Sequence, residues 1–393
     1  MSAFNSAFRY LTSQLRQIGI FIALIAIVVL FQILTQGVLL NPQNVSNVIV
    51  QNSYVLILAI GMVMIIIAGH IDLSVGSVVG FIGAVAGVLT ERMGLPWWIA
   101  IILCLALGAV VGAWQGFWVA YFGIPAFIVT LAGMLLFRGL TQITLGSTQI
   151  TPFPDEMRAL GGGFLPNLGF VGGQLETLTV VLGLLATLFL VGSAVRQRLI
   201  RHKLNLEDEP LPWFVVKLVF TSGLVLAIAF LLASYRGTPI VLVVLGILAV
   251  AYSAIMARSV YGRHVYAIGG NLNAALLSGV KTKRVTFLLF VNMGVLGALA
   301  GLVFAGQLNL ANPTNGTGFE LDSIAAAFIG GAAVTGGIGT VTGAIIGGLI
   351  IGILNNGMSI IGVGTDYQQF IKGIVLLGAV AFDVYNKRRS GGR

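Results

Sequence analysis

Long apolar runs separated by short polar interruptions fill this chain from end to end. Runs near 20 residues cover 18–39, 53–69, 76–90, 97–120, 125–144, 175–195, 214–233, 239–257, 286–306, 324–337, 340–361 and 367–385. A helix needs about 20 apolar residues to cross a hydrocarbon core about 30 Å thick, and most of these runs match that length. Barrel strands would alternate apolar and polar positions, which these runs do not, so helices are predicted. The expected fold is all-α: a single polytopic transmembrane helical bundle over 1–393, of about 10–12 spans. The pair 324–337 and 340–361 is Gly-rich and divided by Gly336, Gly337 and Gly339. It is expected to form a hairpin of two short, discontinuous helices in place of two full spans.

Composition agrees with the pattern. The chain is 58% hydrophobic and 8% charged, against roughly 25% charged in a soluble domain, and its mean hydropathy is +1.02. A globule in water could not hide so much apolar surface. Glycine takes 53 of 393 positions; small residues let helix backbones approach closely in lipid. Cys104 is the one cysteine and lies in an apolar run, so it reads as a packed core thiol. The first run is too long for a signal-peptide core and lacks a small-residue cleavage site after it, which predicts an uncleaved first helix.

Charge gives orientation. Arg9 and Arg16 precede the first run; Arg196, Arg198, Arg201, Lys203 and Lys217 cluster in one loop region. Arg258, Arg263, Lys281, Lys283 and Arg284 cluster in another, and Lys387, Arg388, Arg389 and Arg393 form the tail. These are 16 of the 21 basic residues, and all fall on one side, which the positive-inside rule makes cytoplasmic. Both termini are then expected inside. Glu91, Asp155, Glu156, Glu320, Asp322 and Asp366 fall to the outer side. The net charge of +9 is thereby explained without nucleic acid, for which no basic–aromatic patch exists. Three loops stand out: an external one at 145–174, an internal one at 196–213 with a basic and an acidic half (Glu207, Asp208, Glu209), and an internal one at 258–285.

A weak internal repeat links two interrupted runs. Gly69, Gly76 and Gly80 recur as Gly336, Gly343 and Gly347, each offset by 267. Paired Gly-broken helices point to a transport pathway near the midplane; chance matching of Gly-rich packing is the plain alternative.

Little in the chain suggests covalent chemistry. It has no phosphate loop of the G-x-x-x-x-G-K-[ST] type and no G-x-S-x-G elbow, and His70, His202 and His264 are scattered, so no metal is expected. Asp72, in "GHIDLSVGS", stands at membrane depth, where a carboxylate is costly. Either it caps the helix that begins after Ser74, near Gly76, or it lines a pathway. Arg138 lies inside a run, as a snorkelling or carbonyl-paired arginine or as half of a conformational salt bridge. Lys372 reads as an interfacial anchor of the last span. Asn271 to Val280 forms a short amphipathic stretch with Ala274 and Ala275 small, Leu276 and Leu277 apolar, and Gly279 placed to end the turn. It suits docking into a partner's groove or lying on the lipid surface.

At this loop the sequence resembles a known family. Gly262-Arg263-x-x-Tyr-Ala-Ile-Gly-Gly270-Asn271-x-x-Ala274-Ala275-x-x-Ser278-Gly279 resembles the coupling segment of ribose-, xylose- and galactose-type ABC sugar permeases. "GHIDLSVGS" (69–77), "IPAFIVTLAGMLLFRGL" (124–140) and "FIGGAAVTGGIGTVTGAIIG" (328–347) are similar to three further motifs of that family, in family order. The added section from about 160 to 235 resembles the D-xylose branch, a layout shared by a multiple-sugar branch. His70 stands where the family commonly has Gly or an acidic residue.

The resemblance implies a non-catalytic permease subunit of an ATP-binding-cassette importer of a monosaccharide, in a bacterial plasma (inner) membrane. It implies two permease copies, a separate ATPase carrying ATP and Mg, and an extracytoplasmic binding protein that does most of the sugar selection. Asn271–Gly279 would then be the coupling helix, and Asp72 would sit at the broken helix near the pathway. The rivals are an ion-coupled secondary transporter and a non-pumping channel. The former needs titratable groups within spans, and Asp72 and Arg138 are the two the runs offer.

Overall fold

In lipid every backbone N–H and C=O must be satisfied within its own segment, and uninterrupted apolar runs do this as helices. The computed structural model describes residues 15–146, 148–171, 175–204 and 210–390. Arg9, Glu207, Asp208, Glu209 and Arg393, which entered the reading of orientation and loops, lie outside them. The described elements are α1 (Leu15–Leu34), α2 (Pro42–Gln51), α3 (Ser53–Ile67), α4 (Val75–Gly87), α5 (Trp97–Ala120), α6 (Ala126–Leu145), α7 (Asp155–Gly162), a hairpin of β1 (Phe170–Val171) and β2 (Leu175–Glu176), α8 (Thr177–Lys203), α9 (Leu211–Ala233), α10 (Ile240–Arg258), α11 (Val260–Gly270), α12 (Leu272–Leu277), α13 (Thr282–Leu308), α14 (Phe319–Ile329), α15 (Val341–Ile360) and α16 (Thr365–Ser390).

Each apolar run falls on one of these helices. Among the described residues eight helices are long and apolar enough to cross a membrane, or nine when α2 and α3, bent by 47°, count as one span. α15, at 20 residues, is a full-length span and not the short hairpin arm expected of it; α14, at 11 residues, is the short one.

α3 is the most enclosed of the long helices. It is apolar on every side and almost wholly enclosed by the other helices. α13 and α5 close against each other along a seam of small residues, with Gly108 and Gly112 of α5 meeting Gly294 and the Phe290 carbonyl of α13. Bulky residues would hold these backbones apart where no hydrophobic force between helices draws them together. α8 and α9 are peripheral and expose most of their apolar surface. They touch one another at Gly183 and Ala229. Glu176 caps α8, accepting the N–H groups of Leu178 (3.0 Å) and Thr179 (2.6 Å). Burial opposes its charge, but these bonds hold its carboxyl below the usual range.

The offset-267 glycines are points of close backbone approach in both sets. α4 and α15 flank α14, and the second and third glycine of each set admit crossing backbone. Gly76 and Gly80 lie against Gly316, Glu320 and the Asn315 carbonyl; Gly343 and Gly347 lie against Gly330 and the Ala326 carbonyl. The first members, Gly69 and Gly336, take left-handed conformations (φ +82° and +78°) and meet each other.

Candidate functional site

Three breaks in the helices converge. The first follows α3 at Ile67–Gly69, the second ends α11 at Gly269–Gly270, and the third is the Gly336–Gly339 turn before α15. The Gly337 N–H donates to the Ile67 carbonyl (2.8 Å). Tyr266 of α11 donates its hydroxyl to the Gly339 carbonyl (2.8 Å). Gly269 presses into this bond: a Cβ there would lie 2.6 Å from the Gly337 nitrogen and 2.8 Å from the Ile67 carbonyl carbon. α11 therefore rests on both broken helices by direct backbone contact.

α12 follows α11 at once. Asn271 caps it by accepting the Ala274 N–H (2.9 Å). Gly279 closes it with φ +81° and a bond to the Leu276 carbonyl, while Val280 bonds the Ala275 carbonyl. Arg263, Gly270, Asn271, Ala274, Ser278 and Gly279 are exposed. Gly262 and Ala275 are buried, Gly262 against the Ile255 and Met256 carbonyls at the end of α10, with its N–H donating to Ser259 Oγ (3.0 Å). Leu272, Leu276 and Leu277, the last 91% exposed, share the outward surface of α12 with the exposed members of this set.

Asp72, three residues beyond the first break, is enclosed. Its Oδ1 accepts the N–H (2.8 Å) and the hydroxyl (2.6 Å) of Ser74, and Gln115 of α5 donates to Ser74 Oγ (2.6 Å). Ser74 is the capping residue of α4, so Asp72 forms a turn one step ahead of the helix and binds none of the helix's own first N–H groups. It ties the break to α5 and does not line the cleft described next. His70 stands beside it, its ring 6.0 Å from that of Phe290.

A second polar region opens between α2–α3, α6, α14, α15 and α16. It is a cleft of about 720 Å³. Arg138, Glu320, Asp322, Asn355, Asn356 and Lys372 line it together with the Tyr54–Phe319 stack. Lys372 Nζ donates to Asp322 Oδ1 (2.9 Å), and Asp322 is buried. Asn44 and Asn356 exchange two amide bonds (2.9 and 3.0 Å) behind its wall. Of the residues singled out in the sequence, Arg138 belongs to this cleft and Gly76 backs it against Glu320, whereas Gly336 and Gly337 belong to the junction with Gly270.

Three residues gain partners or burial that the sequence reading did not give them. Lys372, read as an interfacial anchor, is partly buried and paired to the buried Asp322, and Glu320 and Asp322, read as outer-side residues, are enclosed by the bundle. Two carboxylates in the first turn before an apolar run, with a lysine inside the last span, were the available signal, because such groups are rare within membranes and tend to pair. Among the described residues no His, Cys, Asp or Glu group is arranged to hold a metal.

Comparison with known proteins places this architecture. The family described as "Branched-chain amino acid transport system / permease component" matches residues 44–380. The xylose transport system permease protein XylH of Haemophilus influenzae is 41% identical, over 94% of this chain and 97% of the relative. Its counterpart in Escherichia coli is 42% identical, over 94% and 91%. The ribose import permease protein RbsC of Escherichia coli is 32% identical, over 93% and 94%. No solved structure matches.

Proposed function

The chain belongs to this family of transport permeases, and from that premise we propose that it is the membrane-spanning subunit of an ATP-driven importer of a monosaccharide. The names of its relatives favour D-xylose as the solute. In this reading two copies enclose the pathway in a bacterial inner membrane with both termini cytoplasmic. A binding protein delivers sugar outside, and an ATPase with bound ATP and Mg docks inside. The subunit makes and breaks no covalent bond. It alternates between outward- and inward-facing states, and the ATPase biases that equilibrium only by its differential affinity for the two.

One observation carries the reading: a short helix offering leucines to its surroundings stands on α11, which contacts both broken helices at Gly269. A push on α12 has a backbone route to the breaks. Leu277→Asp tests the docking. Leu277 makes little contact with the rest of the chain, so folding stability should change by less than about 0.5 kcal/mol. Co-purification with the ATPase should fall sharply; unchanged co-purification and coupled uptake would remove α12 from the interface.

The ion-coupled alternative gains one observation. Glu320, Asp322 and Lys372 supply the titratable groups within the bundle that it requires. It is separated from the importer by the energy source, ATP or an ion gradient.

A further inference from the structure

The α8–α9 pair is fastened to the bundle at its outer end. Thr179 Oγ1 and Thr238 Oγ1 lie 2.9 Å apart, the Leu165 N–H donates to the Thr238 carbonyl (3.0 Å), and the Arg236 guanidinium stands over the Phe164 ring. Inward of these contacts α8 packs mainly on α9 and turns most of its apolar residues outward. At the inner end Arg198 lies over the Phe214 ring of α9, 4.6 Å from its centroid. The face of α8 that bears Arg198 is therefore turned to α9, and the opposite face is left uncovered.

That uncovered face mixes charge with apolar surface. At 3.6 residues per turn, Arg196 and Lys203 fall two turns apart on it, both exposed. Leu199 and Leu204 flank them and are 60% and 62% exposed. Water alone is a poor neighbour for leucines so bare. The same face continues along the span as the exposed Leu185 and Phe189, with open space at Gly192 one turn before Arg196. Residues 177–195 carry no charge and extend about 28 Å, close to the hydrocarbon thickness of about 30 Å. Arg196 then stands at the level of the lipid phosphates, with Lys203 about 10 Å further in. Helical side chains tilt toward the helix N-terminus, which here turns both cations back toward the bilayer. Arg201 and Lys217 hold contacts of their own and are not counted in this face. The nearest carboxylates in sequence, Glu207, Asp208 and Glu209, follow the end of α8 and lie outside the described residues.

We infer that this face of α8 docks an anionic phospholipid, with an acyl chain along Leu185 and Phe189 and the headgroup between Arg196 and Lys203. The face runs without interruption from hydrocarbon depth to headgroup depth, which matches a lipid from tail to phosphate. Headgroup chemistry sets the preference. Phosphatidylcholine balances its phosphate with a quaternary ammonium, which the second cation repels. Phosphatidylglycerol carries hydroxyls in that place and leaves its negative charge to the two cations. The inference goes beyond the importer reading and does not depend on the solute carried. It gives the α8–α9 pair a lipid contact at the end where the protein provides few.

The test uses the full-length permease in nanodiscs of phosphatidylcholine with a minority of phosphatidylglycerol. Gly192→Cys places a fluorophore in the open space beside Arg196, with Cys104→Ala removing the native thiol. Brominated lipid quenches the fluorophore on contact. Brominated phosphatidylglycerol should quench about tenfold more effectively than the same fraction of brominated phosphatidylcholine, and sodium chloride should weaken that preference. Arg196→Gln with Lys203→Gln should reduce it to about twofold or less, while Arg196→Lys keeps the charge and should retain it. Both cations are exposed, so these variants should unfold at the parent temperature. Equal quenching by the two lipids, or a preference untouched by the double variant, would overturn the inference. Removal of the preference by inorganic phosphate, but not by sodium chloride of equal ionic strength, would mark a free-anion site. Its loss on adding the ATPase would mark a protein contact. Either result would also overturn the lipid assignment.

Discussion

Gly269→Ala is the smallest change that strikes the junction of the three breaks. The added methyl would sit 2.6 Å from the Gly337 nitrogen and 2.8 Å from the Ile67 carbonyl carbon, and closer still to the Ile67 oxygen. Ordinary contact begins near 3.4 Å, so α11 must retreat from these backbones by roughly 2 Å or the Gly337–Ile67 hydrogen bond must open. No side-chain rotation relieves the clash, because both neighbours are backbone. Overpacking of this kind costs about 1–3 kcal/mol. If the junction is closed in one transport state and open in the other, that cost falls on one state and shifts their ratio about 5- to 150-fold. The assay is sugar uptake per ATP hydrolysed by the reconstituted complex, with thermal unfolding in detergent as the control for folding. Gly270→Ala is the matched comparison, since a Cβ there meets nothing within 4 Å. Coupling should fall at least about fivefold in Gly269→Ala and stay near wild type in Gly270→Ala. Equal coupling in both variants would refute the junction as the route from α12 to the broken helices.

Two further outcomes follow from the polar interior. Replacing either member of the Asp322–Lys372 pair alone should destabilise the protein by about 3 kcal/mol, while Asp322→Asn with Lys372→Met together should recover part of the loss; thermal unfolding of the singles and the double measures this, and strict additivity would mean that the two charges are not coupled. Asp72→Asn keeps an Oδ1 acceptor for Ser74 and should retain stability and uptake, whereas Asp72→Ala leaves the buried Ser74 N–H unpaired and should cost about 1–3 kcal/mol. Equal damage in both Asp72 variants would show that the charge itself is needed.

The bundle was legible because hydropathy acts locally: every apolar run marks a helix. So was the α12 end, where Gly279 takes the left-handed conformation that a helix-closing glycine suggests. The offset-267 glycines were visible as a pattern, but their meaning required the partner backbone, since Gly76 faces Glu320 and Gly343 faces Gly330. The outward face of α12 could not be phased, because in a six-residue helix of Leu, Asn and Ala no polar stripe separates Ala275 from Leu277. The cleft was hidden for a different reason. It joins Arg138, Glu320, Asn355 and Lys372 from four helices, and nothing local in the chain records that they meet. Lys372 near a span end looks like an anchor until Asp322 is placed beside it.

The account's central claim is that ATP on a partner chain drives solute through this subunit. Proteoliposomes containing the permease, its ATPase and the binding protein test it most directly, with labelled D-xylose outside, ATP enclosed, and sodium and proton gradients collapsed. The expected result is accumulation against the sugar gradient that requires both ATP and the ATPase. Accumulation that continues without the ATPase and follows an imposed ion gradient would contradict it.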